Sequence, residues 1–434
     1  MGKKITLKVG GKREVIKKEE AQQVLERFQK ESEGDVVVAE IDLSCRQWTV
    51  EAIDVLRPFL EKLAPNVVVL NLNDIIAGLQ TDLGLEIMEL MAQIFVMAKN
   101  VEEIQLSDNA MGPRALKRIA PLLGVAKLQR LEFNNCGLSA ETIPQLDEAL
   151  KENATGPGVA RLTHLDLDRN MIGVEGARQT GELLKDCVKM KRFAYRGCRP
   201  TYNGSKFLAK AIQQMTQNTD VLEELHIRDC DLIRNEDEMV ALTDLADAIT
   251  RCPNLKVLNT SDCGDFGETG AGALATAIIE SKCKLESLDL SGCIVTPEGG
   301  EAMQEMLQQQ AASLKELKLE TNELGSDGVE CILKCFADID NPPLQHLRLD
   351  ENELDEAAIT ALLDATFPNL RRLTLKDNMD LDELDDDKKA ELRAHFSKAR
   401  IYFDEEVDGK EEDHEDAPDA AVDALTAQMA NAGI

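Results

Sequence analysis

LTHLDLDRN, at residues 162–170, places leucines three and then two positions apart and ends on an asparagine. The same pattern occurs five more times, as LKVLNTSDC (255–263), LESLDLSGC (285–293), LKELKLETN (314–322), LQHLRLDEN (344–352) and LRRLTLKDN (370–378). Weaker copies begin at Val38, Val67, Val101, Leu128, Met190 and Leu222. The twelve starts lie 26 to 34 residues apart, so the chain is an array of one repeated unit.

Each repeated unit is predicted to be a short strand, a turn and a helix. The segments that follow the quoted stretches, such as EGGEAMQEML at 298–307, carry apolar residues at helical spacing. One such unit cannot bury its own apolar side, whereas stacked units form a continuous core. The pattern therefore predicts an α/β fold, a leucine-rich-repeat solenoid shaped as a horseshoe, with an inner parallel sheet and outer helices.

The register of this pattern predicts which strand residues point inward. In LESLDLSGC the alternation directs Leu288 and Leu290 into the core and directs Asp289 to solvent. The position three residues after the last apolar residue of each strand is Asn or Cys in ten repeats, namely Asn109, Cys136, Asn170, Cys198, Cys230, Cys263, Cys293, Asn322, Asn352 and Asn378. We expect this row, the inner ladder, to donate hydrogen bonds to buried loop carbonyls.

The inner ladder accounts for five of the eleven cysteines. Cys331 and Cys335 lie four residues apart on a predicted helix, without a second pair placed as in a zinc site. The sequence therefore predicts neither a metal site nor disulfides.

The N-terminal residues 1–37 depart from the repeat and are predicted to cap it. The alternation from Ile5 to Val9 predicts a strand, and a helix is expected around Glu19 to Glu31. Gly2 followed by Thr6 also matches the short N-myristoylation pattern, so both interpretations of this end stay open.

The repeats are expected over residues 38–400, followed by an acidic tail at 401–434. Within the tail, DEEVDGKEEDHEDAPD (404–419) holds ten acidic residues and one lysine, a density of like charge that favours disorder. Further on, Val422, Leu425 and Met429 share one face of a short terminal helix. Whether that helix frays or docks on a partner stays open.

Composition limits the classes of function. The formal net charge of −31 opposes binding to nucleic acid or to anionic lipid and favours a basic partner. No apolar stretch is long enough to span a membrane, and the N-terminus lacks a secretory signal, which predicts an intracellular protein. The motifs GxxxxGK[ST], HExxH and GxSxG do not occur. His164, His226 and His346 fall on predicted concave strand positions, where we expect surface residues rather than a catalytic group.

Two segments resemble a known family. VEEIQLSDNAMGP (101–113) and LQRLEFNNCGLS (128–139), together with NDIIAGLQTD (73–82), the cap and the acidic tail, resemble the Ran GTPase-activating protein family. The resemblance implies an activator of GTP hydrolysis in nucleocytoplasmic transport, which acts by positioning Ran's own catalytic machinery. It implies Ran in its GTP form as partner, with a Ran-binding protein as a further one. GTP and Mg would be held by Ran, so this chain would need no cofactor and would supply no catalytic residue. A cytoplasmic location, including the nuclear envelope, is implied as well.

The resemblance also implies which residues contact the GTPase. The family's asparagine that holds a tyrosine of Ran matches Asn135, which stands beside ladder residue Cys136 and is expected to have a free amide. Asp108 occupies the equivalent edge one repeat earlier, and Asp74 and Asp82 flank the preceding loop. Leu79 stands where the family carries an arginine, a change that weakens or abolishes activation.

Two alternatives remain at the sequence level. Asn135 could simply cap its turn, without contacting any partner. The whole chain could be a non-catalytic leucine-rich-repeat scaffold or inhibitor that shares the architecture of the activators alone.

Overall fold

The computed structural model describes residues 3–125, 127–152, 158–235, 238–378, 381 and 384–403. Within these residues the strands, in chain order, are β1 (Lys3–Lys8), β2 (Val15–Ile16), β3 (Val36–Asp42), β4 (Gln47–Trp48), β5 (Val69–Asn71), β6 (Glu103–Gln105), β7 (Arg130–Glu132), β8 (His164–Asp166), β9 (Arg192–Ala194), β10 (Glu224–His226), β11 (Val257–Asn259), β12 (Ser287–Asp289), β13 (Glu316–Lys318), β14 (His346–Arg348), β15 (Arg372–Thr374) and β16 (Arg400–Tyr402). All except β2 and β4 form one fourteen-stranded sheet in chain order. The pairing is parallel throughout, so the predicted leucine-rich-repeat solenoid is confirmed.

Helices lie between consecutive sheet strands, on the outer side of the sheet. They are α1 (Lys18–Glu31), α2 (Val50–Leu63), α3 (Thr81–Phe95), α4 (Pro113–Leu123), α5 (Thr142–Glu152), α6 (Gly173–Leu184), α7 (Thr201–Thr216), α8 (Val240–Ile249), α9 (Gly267–Ser281), α10 (Pro297–Ala302), α11 (Gln304–Gln310), α12 (Gly325–Lys334), α13 (Glu356–Asp364) and α14 (Asp386–His395). The helix expected over 298–307 is divided at Met303 into α10 and α11. In the described ranges, no helix combines the length and the apolar composition that crossing a bilayer requires.

The core lies between the sheet and the helices and is built from the leucines of the repeated pattern. Leu288 and Leu290 are 0% exposed, as the register predicts. The expectation for Asp289 is wrong, because its side chain is buried. It accepts hydrogen bonds from the Ser291 amide at 3.1 Å and from Asn259 Nδ2 at 2.8 Å. Neighbouring strands are only about 4.8 Å apart, so polar side chains on the concave side cover one another.

The inner ladder has the predicted geometry, and its asparagines bind more backbone groups than its cysteines. Asn170 Nδ2 donates to the carbonyls of Phe133, Leu167 and Asp168, and Oδ1 accepts from the amides of Cys136 and Leu138. The thiol of Cys263 donates to the carbonyl of Ile227 at 3.0 Å, with a longer contact to Ser261 O. Both residue types therefore link one repeat to the repeat before it.

The cap extends the sheet by one strand. β1 pairs with β3, with an irregularity between Ile5 and Thr6, and α1 packs on α2 through the buried Phe28. β16 adds a strand at the other end, beside β15. The acidic segment 404–419 and the helix expected beyond it lie outside the described residues.

Candidate protein-binding surface

Each repeat leaves the sheet through a turn whose residue before the ladder position adopts a left-handed backbone. Counting the equivalent positions before Arg46 and Ile75 in the first two repeats, ten such residues are not glycine and have φ between 50° and 59°, namely Cys45, Asp74, Asp108, Asn135, Arg169, Asp229, Asp262, Thr321, Glu351 and Asp377. Asp and Asn tolerate this conformation better than most residues. We call this row the turn edge. Its backbone is fixed to the next repeat, since the Asp108 amide donates to Asn134 O at 2.8 Å and the Asn135 amide donates to Asp168 O at 2.9 Å.

Two of the predicted GTPase-contacting residues meet on the turn edge. Asn135 Nδ2 donates to Asp108 Oδ1 at 2.8 Å, and both side chains are exposed. The expectation of a free amide is therefore wrong for the nitrogen of Asn135, because Asp108 holds it. The hydrogen bond restrains the direction of the Asn135 amide.

A third predicted residue, Asp74, is paired with a cation that sequence reasoning missed. Arg13, from the loop after β1, donates from Nε to Asp74 Oδ2 at 2.7 Å, and its Nη2 contacts the other carboxylate oxygen. Asp74 is largely buried beneath this pair, whereas the side chain of Arg13 is half exposed. The Asp74 hydrogen bond raises the pKa of Arg13, and Asp108 contributes in the same direction. The cap therefore brings a guanidinium to the turn edge beside Asp108.

The remaining predicted residues lie at the start of α3 and outside this network. Leu79 precedes the helix and is partly buried against the core. Asp82 lies in the first turn of α3 and forms an exposed pair with Arg114 of α4 at 3.2 Å. The structure thus brings Asp74, Asp108 and Asn135 into one row and places Leu79 and Asp82 on the side of the outer helices.

The concave face of the central strands carries two rows of charged side chains. In the first row Arg130, His164 and Arg192 are aligned on β7, β8 and β9, with Glu103 and Glu224 at either end. Arg130 Nη1 lies 3.5 Å from Glu103 Oε2, and Arg192 pairs with Glu224. The cations are therefore bounded by acids within the row.

The second row, two residues further along the strands, is acidic in the centre. Glu132 and Asp166 are neighbours on β7 and β8. Burial, reinforced by the nearby Asp168 carboxylate, raises the pKa of Asp166 from its usual 3.8 to about 6. Asp168 is itself buried and binds Arg196, whose Nε is 2.6 Å from Asp168 Oδ2. A carboxyl group whose ionised form is disfavoured in this way is typical of a surface that binds a ligand.

The histidines of the concave face are less exposed than expected. His226 is 0% exposed, so its assignment as a surface residue is wrong. Its Nε2 accepts a hydrogen bond from Arg192 Nη1 at 2.8 Å, and burial lowers its pKa. Burial and the neighbouring Arg130 lower the pKa of His164 to about 4. Both imidazoles are therefore neutral near neutral pH, and the fixed charges of the face are its arginines and carboxylates.

Open depressions lie on the described part of the molecule. One of about 300 Å³ lies beside the first concave row, where Glu103, Arg130, His164 and Lys191 line it. Among the described residues, no three His, Cys, Asp or Glu side chains are grouped so that they could hold a metal ion.

Comparison with known proteins supports the repeat assignment. The family described as "Leucine Rich repeat" matches residues 162–178, 281–303 and 310–333. The ribonuclease inhibitor of Sus scrofa is 28% identical over 236 residues, which cover 49% of this chain and 49% of that protein. The ribonuclease inhibitor of Mus musculus is 24% identical, with 64% of each chain covered. The chain therefore contains leucine-rich repeats over the matched residues and is similar to ribonuclease inhibitors.

Two further similarities are to a longer protein and to a solved structure. NACHT, LRR and PYD domains-containing protein 5 of Mus musculus is 24% identical over 57% of this chain and 23% of its own length. A chain of the yeast Rad7–Elc1 complex superposes with a TM-score of 0.51 at 13% identity, covering 91% of both chains. The chain thus spans about half the length of the Sus scrofa inhibitor and less than a quarter of the Mus musculus NACHT protein.

Proposed function

We propose that this protein binds a basic protein partner through the concave face of β6–β10 and the adjoining turn edge. The observation that carries the proposal is the central acidic pair, Glu132 and Asp166, where burial raises the pKa of Asp166 to about 6. A cationic side chain from a partner would stabilise the ionised form of Asp166 and so lower its pKa again. The formal charge of −31 favours the approach of a basic protein over long range.

An inhibitor is the form of binding protein that the similar proteins suggest. The Sus scrofa and Mus musculus proteins are ribonuclease inhibitors by name, so a basic ribonuclease is a reasonable first probe. Titration of the full chain against such a ribonuclease should give saturable binding that weakens as salt is added, because screening acts on the charges outside the contact.

The concave face can be tested with two matched variants. Glu132→Gln removes a charge from the centre of the face, whereas Glu175→Gln removes an equal charge from α6 on the outer side. Loss of a buried interfacial charge pair is worth about 2–5 kcal/mol, so Glu132→Gln should weaken binding at least about tenfold. The control should bind like the parent. Equal affinities for the two variants would place the contact elsewhere.

A second candidate function is activation of GTP hydrolysis by Ran, and the turn edge favours it. Asn135 is exposed, and a hydrogen bond to Asp108 fixes the direction of its amide. Leu79 offers no positive charge at the position of the family's arginine, but Arg13 places a guanidinium on the same edge. Under this proposal Ran in its GTP form docks on the edge, GTP and Mg stay on Ran, and a Ran-binding protein assists. The protein would then act in the cytoplasm or at the nuclear envelope.

Single-turnover hydrolysis of GTP by Ran, with and without the full chain, tests the second function. Acceleration by the parent chain, its loss in Asn135→Ala and its retention in Glu175→Gln would support it. Asp108→Ala should reduce the acceleration less than Asn135→Ala does, since it releases the amide without removing it. Leu79→Arg should lower the half-saturating concentration if a docking contact was lost at this position.

The binding of Ran and its rate of GTP hydrolysis distinguish the two proposed functions. Saturable binding of Ran–GTP with hydrolysis at the intrinsic rate would leave the scaffold or inhibitor as the function. Failure to bind Ran in either nucleotide state would remove it as a partner without affecting the first proposal.

A further inference from the structure

A groove runs between α3 and α4 on the outer side of the solenoid, away from the concave face. Its volume is about 530 Å³. Ala92 and Val96 line the groove from the α3 side, and Pro121 lines it from α4. Val96 is 42% exposed, and the neighbouring Met97 is 58% exposed. The groove therefore offers an apolar lining that solvent, and so a partner, can reach.

The charged side chains that line this groove are mostly cationic. Arg114, Lys117 and Arg118 of α4 line it together with Glu89 of α3, so three cations stand against one anion. All three cations are exposed. The whole chain, by contrast, has a formal charge of −31. The groove is therefore opposite in sign to the rest of the protein and is suited to an acidic partner.

The ion pairs already present leave these cations available to a partner. Arg118 pairs with Glu89, and Arg114 Nη2 lies 3.2 Å from Asp82 Oδ1. Both members of each pair are exposed by two-fifths or more, and exposed ion pairs contribute little to stability. Within the described ranges, Lys117 has no carboxylate at salt-bridge distance. A partner's carboxylates can thus bind all three cations without breaking a strong contact.

α4 also presents a backbone acceptor beside the groove. Pro121 lies inside this helix and has no N–H, so the Lys117 carbonyl lacks the helical hydrogen bond from residue 121. Lys117 and Pro121 both line the groove. A hydrogen-bond donor from a partner therefore finds an acceptor next to the apolar lining.

We propose that the groove between α3 and α4 binds an acidic amphipathic helix of a partner protein. The lining extends from Glu89 to Val96 on one side and from Arg114 to Pro121 on the other, about 10 Å along each helix axis. This length matches two turns of a bound helix, whose apolar side chains recur at i, i+3, i+4 and i+7. These side chains pack on Ala92, Val96 and Pro121, while flanking carboxylates pair with the cations.

An anionic membrane fits the same cations less well than a helix does. A bilayer extends far beyond the groove and meets the acidic remainder of the chain, whereas a helix contacts the groove alone. The proposal is also independent of the concave face, which is proposed to take a basic partner. With both faces occupied, the protein would hold partners of opposite charge on opposite sides of the solenoid.

A designed peptide tests the groove in the full-length chain. The probe is a fluorescein-labelled helical peptide with leucine on one face and glutamate on the other, and binding is measured by fluorescence anisotropy. Saturable binding is expected. A twin peptide with every leucine replaced by alanine should bind at least about tenfold more weakly, because it loses its apolar contact. Absence of saturable binding, or equal affinity for the two peptides, would overturn the proposal.

The cations are tested with two matched charge reversals. Lys117→Glu should weaken binding of the leucine–glutamate peptide at least about tenfold, because an attractive contact becomes a repulsive one. Lys284→Glu makes the same change at an exposed lysine between α9 and β12 and should leave the affinity unchanged. Equal losses in the two variants would show that only the net charge matters and would contradict a defined groove.

The apolar lining has its own matched pair. Val96→Ser should weaken peptide binding severalfold, whereas Val188→Ser, at a valine of similar exposure after α6, should not. Melting temperatures equal to that of the parent show that both variants are folded. Glu132→Gln on the concave face should bind the peptide like the parent, so this test and that of the basic partner can fail separately. A loss in Glu132→Gln as large as in Val96→Ser would move the contact away from the groove.

The remaining measurements distinguish the occupants. A benzophenone on the leucine face of the peptide should label residues of α3 or α4, and labels confined to other elements would contradict the proposal. Sedimentation of the parent chain with phosphatidylserine vesicles, lost in Lys117→Glu, would assign the groove to a membrane surface instead. Dimers of the parent chain that are lost in the same variant would assign it to a second copy.

Discussion

The inner ladder and the central concave rows both run across the same strands, yet their polar groups are in opposite energetic states. Asn170 on the ladder is 2% exposed, and each polar atom of its amide is bonded to backbone. Asp166 on the concave face lies two residues away from buried Asp168 and has a pKa raised to about 6. Burial with complete hydrogen bonding stabilises the solenoid, whereas burial against like charge destabilises it. We infer that the first region was selected for folding and the second for contact with a partner.

The largest expected effect is on the ladder. Asn170→Ala leaves five backbone groups without their side-chain partner. A buried unsatisfied group costs up to about 1–3 kcal/mol, and relaxation and the entry of water relieve a large part of the sum. We expect the free energy of unfolding to fall by about 3–5 kcal/mol, measured from urea midpoints at a constant slope. A loss below about 1 kcal/mol would remove the contrast between the two regions.

The next effect has the opposite sign and lies on the concave face. The raised pKa of Asp166 means that its protonated form is favoured in the fold, so ionisation destabilises the protein above about pH 6. Asp166→Asn should raise the free energy of unfolding by about 1–3 kcal/mol near pH 7.5. The gain should fade between about pH 6 and pH 4, where the parent takes up the proton. Melting temperatures across this range give the answer, and a variant less stable than the parent at every pH would contradict it.

A smaller effect compares the two residue types of the ladder. The Cys263 thiol makes one hydrogen bond of 3.0 Å and stays protonated, because burial raises its pKa well above the usual value. Cys263→Ala should lower the free energy of unfolding by about 1–2 kcal/mol, through a small cavity and one weak bond. Thermal denaturation of both ladder variants in the same buffer tests this. A loss as large as that of Asn170→Ala would mean that the thiol anchors its repeat as firmly as the amide.

The smallest effect should be at the turn edge. Asn135→Ala removes one exposed hydrogen bond and places alanine at a φ of 53°, together worth about 1 kcal/mol. Asn135→Gly is the matched variant, since glycine adopts this backbone without strain and should melt within a few degrees of the parent. If both variants lost several kcal/mol, the turn edge would belong to the structural region and not to the binding surface.

The repeats, the ladder and the direction of Leu288 and Leu290 were predictable because they depend on local spacing. The pairing of Arg13 with Asp74 was not, since it joins residues 61 positions apart and no local pattern encodes it. Burial of Asp289 and His226 was missed for a different reason. Alternation distinguishes the two faces of a strand, but it does not reveal how closely neighbouring strands crowd the polar side chains on one face.

At the candidate site, Asn135 and Asp108 could be placed on one edge from their positions in successive repeats. Their mutual hydrogen bond could not, because it depends on the left-handed backbone that both turns adopt. The same limit applies to Leu79, whose spacing marks a loop but whose partial burial follows from the packing of α3.

The turn edge has an evolutionary consequence. Its left-handed positions hold cysteine, aspartate, asparagine, arginine, threonine and glutamate along the chain, while the backbone amide at each position from Cys45 to Glu351 keeps a bond to the next repeat. The side chain at each position therefore takes no part in the backbone hydrogen bond that fixes the turn. A mutation at one position alters one site in a linear series and leaves its neighbours in place. New partner specificities can accumulate along this edge one repeat at a time, without passing through unfolded intermediates.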